Sequence, residues 1–435
     1  MTNKHIVLTA YGSFGDIHPY MAIALELQAR GHRAVIATSE LYRYKIEAEG
    51  IGFHPVRYDS AIDMQQDGEF IGVLSESRRE SEYTICYLLM PHLRATYKAL
   101  LEAVQGADLL LTHHLSFAGS LIAAKTGIPW VSTVLSPILF MSAYDSQTLS
   151  TTTISPYEQA LAVVANDARL RQFRWQARLW SAPIRQLRGE LGLPPSYDPI
   201  FEGQHSPDLV LALFSKTLAS PQPDWCSQTQ VTGFPFYDRA KQENLSPELA
   251  RFLESGSPPI VFTLGSLMVW TPGNFYLEAA IAAQQLGYRA VLLVGKGVPN
   301  LPLEQLPEGV IVVDYAPHSE IFPRAAVIVH HGGVGTTGQA LRSGRPMLVV
   351  PYAHDQPDNA MRLVRLGVAR TLARHEYSAT TLIAELKQLL FEPSYGIKAA
   401  EVGKRVQQED GVKAASDAIE TYLRSQENGQ SKTPG

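Results

Sequence analysis

Two α/β domains, each an open parallel sheet covered by helices, are predicted by three observations. Short apolar runs of strand length alternate with segments of helical spacing. Glycine-bearing turns stand directly after several of those runs. The alternation halts at a proline-rich, polar stretch, Pro221–Pro235, and then restarts. Strand–turn–helix–strand units of this kind build parallel sheets. A protein of 435 residues also has room for two or three domains at roughly 150 residues each.

The first forty residues set the pattern. His5–Ala10 reads as a strand and Tyr11–Gly15 as a turn. Asp16–Arg30 carries apolar residues at Ile17, Met21, Ala24 and Leu25, a helical spacing closed by Gly31. Arg33–Thr38 is a second strand. Asp108–Leu111, Trp130–Val134 and Leu209–Leu213 continue the first half, and Ser136–Pro195 is a long, irregular and helical connection. Strands resume at Ile260–Leu264, Ala290–Val294, Val310–Val313, Ala326–His330 and Met347–Val350. The expected division is 1–220 as first domain, 221–240 as linker and 241–410 as second domain. A final helix is expected over 411–424, and a disordered polar tail over 425–435.

Composition narrows the function. Apolar residues are 45% and charged residues 18%, enough for a sizeable core, and the net charge of −5 gives no footprint for nucleic acid. Cys86 and Cys226 are the only cysteines, which excludes a disulfide framework and fits a reducing compartment. The apolar run Ile6–Ala10 is too short for a signal-peptide core, and no run approaches the ~18 residues of a membrane span. A cytoplasmic protein is expected, with peripheral contact at the inner membrane face left open. Arg169–Arg188 holds six arginines interleaved with Phe173, Trp175, Leu179 and Trp180. It suits either a helix lying on an anionic membrane or, preferably, one lining an acceptor cleft.

Ligands of open parallel sheets bind beyond the carboxyl ends of the strands, and the most informative residues stand there. Val327–Ala340 runs from a strand through Gly332, Gly333 and Gly335 to Thr336 and Thr337, where a helix starts. Glycines let backbone N–H groups approach an anion, a helix N-terminus adds positive potential, and His331 adds a donor. Asp314-Tyr315-Ala316-Pro317-His318 precedes this turn, and Pro351-Tyr352-Ala353-His354-Asp355-Gln356-Pro357-Asp358-Asn359 follows it.

In this order and spacing the sequence resembles the family 1 glycosyltransferases, over nearly its whole length. Its texture is similar to the bacterial rhamnosyltransferases that build glycolipid surfactants, at Asp224-Trp225, Thr232–Pro235, Ala353–Asn359 and Leu363–Gly367. The resemblance implies a GT-B fold, two Rossmann-like α/β/α domains facing across a cleft. The first would bind the acceptor and the second the nucleotide-sugar. It implies inverting, metal-independent hexosyl transfer from a UDP- or dTDP-sugar to a hydroxyl of a small apolar acceptor: a lipid hydroxy acid, phenol, sterol or polyketide. No metal site or bound cofactor is implied, and no Asp-x-Asp motif is present.

Roles carry over position by position. Tyr315 stands where an aromatic stacks on the nucleobase, and His318 where the backbone addresses it. His331 matches the diphosphate-binding histidine, with Gly333, Gly335, Thr336 and Thr337 around it. Gly265–Ser266, directly after a strand, matches a step facing the diphosphate. Asp355 and Gln356 match the pair that binds sugar hydroxyls. Gln339 departs from the pattern: a glutamate contacting the ribose is usual there, so uridine and thymidine donors both stay open.

For the base, Gly12-Ser13-Phe14-Gly15-Asp16-Ile17-His18-Pro19 supplies Asp16 and His18. The resemblance places Asp16 where many members carry a histidine base. His18 has the ordinary pKa nearer neutrality, and Asp16 as a mere helix cap is the third option. His-based members hold that histidine with an aspartate after a later strand. The matching stretch here is Thr112-His113-His114, with no carboxylate. His113 and Phe140 are candidate acceptor contacts; Tyr83, Tyr87 and Met90 read as core. Competing functions are a nucleotide-sugar epimerase, a non-catalytic sugar-nucleotide binder and a dinucleotide oxidoreductase. The last lacks Gly-x-Gly-x-x-Gly at its first turn.

Overall fold

The structure is a computed structural model that describes residues 3–56, 80–145, 156–196, 198–238, 245–295 and 306–430. It divides into two compact units. One comprises Met1–Gly12, Asp16–Tyr237 and Asp410–Gly435; the other comprises Ser13–Gly15 and Asp238–Glu409.

In the first unit the strands are β1 (His5–Thr9), β2 (Arg33–Thr38), β3 (Gly52–Pro55), β4 (Leu109–Thr112), β5 (Trp130–Val134), β6 (Val210–Ala212) and β7 (Thr229–Val231). Among the described residues they form one parallel sheet in the order β3-β2-β1-β4-β5-β6-β7. The second unit holds β8 (Ile260–Thr263), β9 (Ala290–Leu293), β10 (Val310–Val313), β11 (Val327–His330), β12 (Met347–Val349) and β13 (Ala369–Thr371). Their order is β10-β9-β8-β11-β12-β13, again parallel. Central strands such as β1, β4, β8 and β11 are covered on both faces, and Ile6, Val7, Leu8, Leu110, Phe262 and Val329 are fully buried. That double burial is why they read as unbroken apolar runs rather than alternating ones.

Strand order reverses between β1 and β4 in one sheet and between β8 and β11 in the other. The backbone leaves a sheet on opposite faces at such a point, which opens a crevice beyond the carboxyl ends. Register aligns Thr9 with Thr112 and Thr263 with His330. The residues that follow these strand ends are therefore neighbours within each sheet, and they include most of the candidate site.

Three strands escaped the sequence reading. β3, β7 and β13 are short edge strands, and an edge strand needs a single hydrogen-bonded neighbour and little apolar character. β7, Thr229-Gln230-Val231, lies inside the stretch expected to be linker; it extends the first sheet through β6. The last helix corrects a second expectation. It runs Gly411–Gln430, past Arg424 and into the supposed tail. It packs within the first unit by burying Ala415, Ile419, Tyr422 and Leu423. Asp417 and Glu420 receive Arg30 at 2.7 and 3.1 Å, His32 meets Glu420 at 3.0 Å, and Lys4 meets Glu427 at 2.8 Å.

The arginine-rich stretch forms the end of a helix, Pro156–Ala177, and a second helix, Ala182–Glu190. Arg174 pairs with Glu202 at 2.8 Å and Arg171 with Asp167. Trp180 and Phe201 pack edge-on against Phe173, while Trp175 and Leu179 are exposed. No helix among the described residues is long and apolar enough to cross a membrane.

Candidate active site

β8 and β11 each end in a glycine-bearing turn, and the two turns meet at His331. Gly265 has φ +67°, and a Cβ there would lie 2.5 Å from the His331 Cε1; a Cβ at Gly333 would lie 2.4 Å from its Nε2. Only glycine leaves room at these two positions, so together they clasp the imidazole. His331 is buried, and that burial, with His318 adding to it, drives its pKa down to about 3. The ring is therefore neutral near pH 7. Its Nδ1 has no hydrogen-bond partner among the described residues.

The helix Val334–Ser343 starts at Gly333 with no side-chain cap. Its first N–H groups thus keep their positive end of the helix dipole uncompensated by a side chain. Thr337 tightens the turn, donating from its backbone to Gly333 O at 2.9 Å and from its hydroxyl to Gly332 O at 3.2 Å. Thr336 is buried beside it and Gly335 is exposed. A neutral imidazole, bare glycine backbone and an uncapped helix start are the groups that receive a diphosphate.

The Pro351–Asn359 loop shows how the adjoining carboxylate is held. His354 adopts φ +57°, a left-handed conformation that costs a non-glycine residue on the order of 1 kcal/mol. Asn359 donates from Nδ2 to Asp355 Oδ2 at 2.8 Å and to Gly332 O at 2.9 Å. It thereby ties the carboxylate to the glycine turn. Sequence reasoning passed over Asn359, although its spacing from Asp355 is one helical turn. Gln356 is anchored through its side-chain carbonyl. Its side-chain oxygen accepts from the backbone of Tyr352 and Ala353 at 2.8 and 3.0 Å, and the residue is buried. Its carbonyl shapes the loop.

Gln339 is likewise engaged. It donates to Asp238 at 3.2 Å and accepts from Arg342 at 2.8 Å, while Arg342 grips both oxygens of Asp238. Neither Asp238 nor Arg342 was singled out from sequence. Tyr315 is 57% exposed, as a ring that stacks on a ligand must be. His318 stacks on Phe322 with centroids 4.3 Å apart, and burial lowers its pKa to about 4. Ser266 follows Gly265 in the clasp turn, half-buried.

In the first unit the corresponding turns follow β1 and β4. Gly12 has φ +124°, and a Cβ there would lie 2.2 Å from Asp16 Oδ2. Tyr42 donates to Gly12 O at 2.6 Å. Asp16 sits in the first turn of the helix Phe14–Ala29. Its Oδ1 is 3.4 Å from Nε2 of His113, whose side chain is wholly buried. So His113, expected as an acceptor contact or a strand-end polar residue, faces the candidate base. The carboxylate missing from the Thr112–His114 stretch comes from the other turn. His18 instead packs against Tyr237, ring centroids 4.9 Å apart.

Phe140 packs into an aromatic cluster. It is buried, stacked on Trp225 at 4.1 Å and on His205 at 5.7 Å, with Phe214 edge-on. Burial lowers His205 to about 4. This aromatic cluster is core, because Phe140 leaves almost no surface for an acceptor. Met90 is also buried, whereas Tyr87 is exposed and stacked on Tyr83.

Comparison with known proteins decides the family. A model described as the erythromycin biosynthesis protein CIII-like C-terminal domain matches residues 295–411, and the glycosyltransferase family 28 N-terminal domain matches residues 6–137. The O-mycaminosyltylonolide 6-deoxyallosyltransferase of Streptomyces fradiae is 30% identical across 99% of this sequence and 100% of its own. This protein belongs to the family 1 glycosyltransferases. A sterol 3-beta-glucosyltransferase of Cryptococcus neoformans is 28% identical over 95% of this glycosyltransferase, which spans only 27% of that relative's length. The solved structure of glycosyltransferase VinC in complex with dTDP superposes with a TM-score of 0.67 at 20% identity, covering 97% of this protein and 100% of that one. The two parallel-sheet units are the GT-B fold.

Proposed function

We propose that this glycosyltransferase moves a hexose, with inversion, from a thymidine diphosphate donor to a hydroxyl of an apolar acceptor of the polyketide or sterol class. The carrying observation is the His331 ring clasped by Gly265 and Gly333 beside the uncapped helix Val334–Ser343. The leaving group is a nucleoside diphosphate, and these groups stabilise its growing charge without a metal. Tyr315 stacks on the base. Asp355, held by Asn359, accepts from sugar hydroxyls. The engagement of Gln339 with Asp238 and Arg342 favours thymidine over uridine. A ribose 2′-hydroxyl would need a partner there, and thymidine donors lack it. The dTDP-bound neighbour supports the same choice, and the relative named as an O-mycaminosyltylonolide 6-deoxyallosyltransferase supports a polyketide acceptor.

In the reaction the acceptor oxygen attacks the anomeric carbon while the bond from that carbon to the diphosphate oxygen breaks. Asp16 takes the acceptor proton, and the diphosphate leaves with its electron pair. His18, committed against Tyr237, is the weaker candidate. A thermal-shift screen of thymidine and uridine sugar nucleotides tests the donor. Asp16→Asn tests the base: turnover should drop at least about 100-fold, with donor affinity little changed. Wild-type turnover in that variant would remove Asp16 as base.

A further inference from the structure

The residue whose ring lies beside the Asp16 carboxylate is His113, and its tautomer can be read from its contacts. His113 follows β4, and its backbone N–H donates to Thr9 O at 3.0 Å, one rung beyond the paired strands. This fixes its Cα beside the end of β1, opposite the turn that leads to Asp16. The Leu115 N–H donates to Nδ1 of His113 at 3.1 Å. A nitrogen that accepts a hydrogen bond carries no proton, so the ring proton is on Nε2. Nε2 is buried and makes no hydrogen bond among the described residues, and Oδ1 of Asp16 lies 3.4 Å from it. The His114 ring lies on that of His113 at 3.9 Å and Tyr20 stands at 6.0 Å, so the imidazole is held on its sides.

We propose that His113 is a positioning residue for glycosyl transfer, whose buried Nε2–H faces the Asp16 carboxylate and orients it by electrostatic contact. It inverts the arrangement that the family resemblance implied. There a histidine follows the first strand and an aspartate on the later strand orients it; here the carboxylate comes first and the imidazole orients it. The inversion has a chemical consequence. His113 can take no proton at Nδ1 without giving up the Leu115 bond, so it relays nothing and works by fixing geometry. Gly12 completes the arrangement, since any side chain there would collide with Asp16 Oδ2.

The inference rests on Asp16 being the base, and the experiment separates the two. The variants are His113→Gln, which can place an amide N–H near the position of Nε2, His113→Asn, which is too short, and Asp16→Asn. Turnover is followed with dTDP-glucose and the fluorescent phenol 4-methylumbelliferone. Expected is a loss of about 10- to 100-fold in kcat for His113→Asn with donor KM little changed, and recovery of most of kcat in His113→Gln. In [15N]histidine-labelled protein, the resonance lost in His113→Gln should show an unprotonated Nδ1 and a protonated Nε2, and its Nε2–H shift should move in Asp16→Asn. This second readout needs no turnover. Equal impairment of the Gln and Asn variants, wild-type kcat in His113→Asn, or a protonated Nδ1 overturns the role of His113. Wild-type turnover in Asp16→Asn would instead remove the base assignment beneath it.

Discussion

Gly333→Ala tests the diphosphate clasp with one methyl group. Gly333 has φ −58° and ψ 142°, a conformation alanine adopts freely, so the backbone is not strained by the change. The new Cβ would lie 2.4 Å from Nε2, 3.2 Å from Cε1 and 3.3 Å from Cδ2 of His331. Ordinary contact, at roughly 3.5 Å, needs about 1 Å more against Nε2. The ring cannot retreat freely, because it is buried and the Gly265 turn crowds Cε1 as well. Overpacking of this kind costs about 1–3 kcal/mol, which is about 5- to 150-fold in affinity if the ring leaves its place. Titration calorimetry with dTDP reads that loss. Gly333→Ala should weaken binding by such a factor. In a His331→Ala background the same methyl should be nearly silent, since its collision partner is gone. Additive losses, or wild-type affinity in Gly333→Ala, would refute the clasp.

Two further outcomes are expected. Burial holds His331 at about 3, His318 at about 4 and His330 well below its ordinary value. Unfolding frees all three to bind protons near pH 6.5, so the unfolded state gains protons and stability falls as pH drops from about 6.5 towards 4. Urea midpoints measured from about pH 7.5 to 5 should fall steeply below about 6.5, and a flat profile would contradict the buried neutral rings. Activity should persist in excess chelator; a loss restored by manganese would show that the helix start and His331 do not suffice for the diphosphate.

Much of this protein was legible in its residues. Apolar runs buried on both faces marked the central strands, because a strand covered by helices tolerates few polar side chains. Glycine turns after those strands marked His331 and Asp16, because anions and reacting groups need backbone free of side chains. Edge strands β3, β7 and β13 were not legible, since one neighbour satisfies them and no apolar run is required. Orientation was not legible at Gln356, Gln339 and Phe140. A glutamine's sequence position does not reveal whether its amide meets a ligand or its own loop. The partnership of Asp16 with His113 was invisible for a stronger reason. The two residues are ninety-seven positions apart, and the parallel register of β1 with β4 alone brings them together. The sequence by itself determined which chemical groups stand at the strand ends. Only the tertiary structure decided which of them face one another, because packing across the two switch points is set by the register of distant strands.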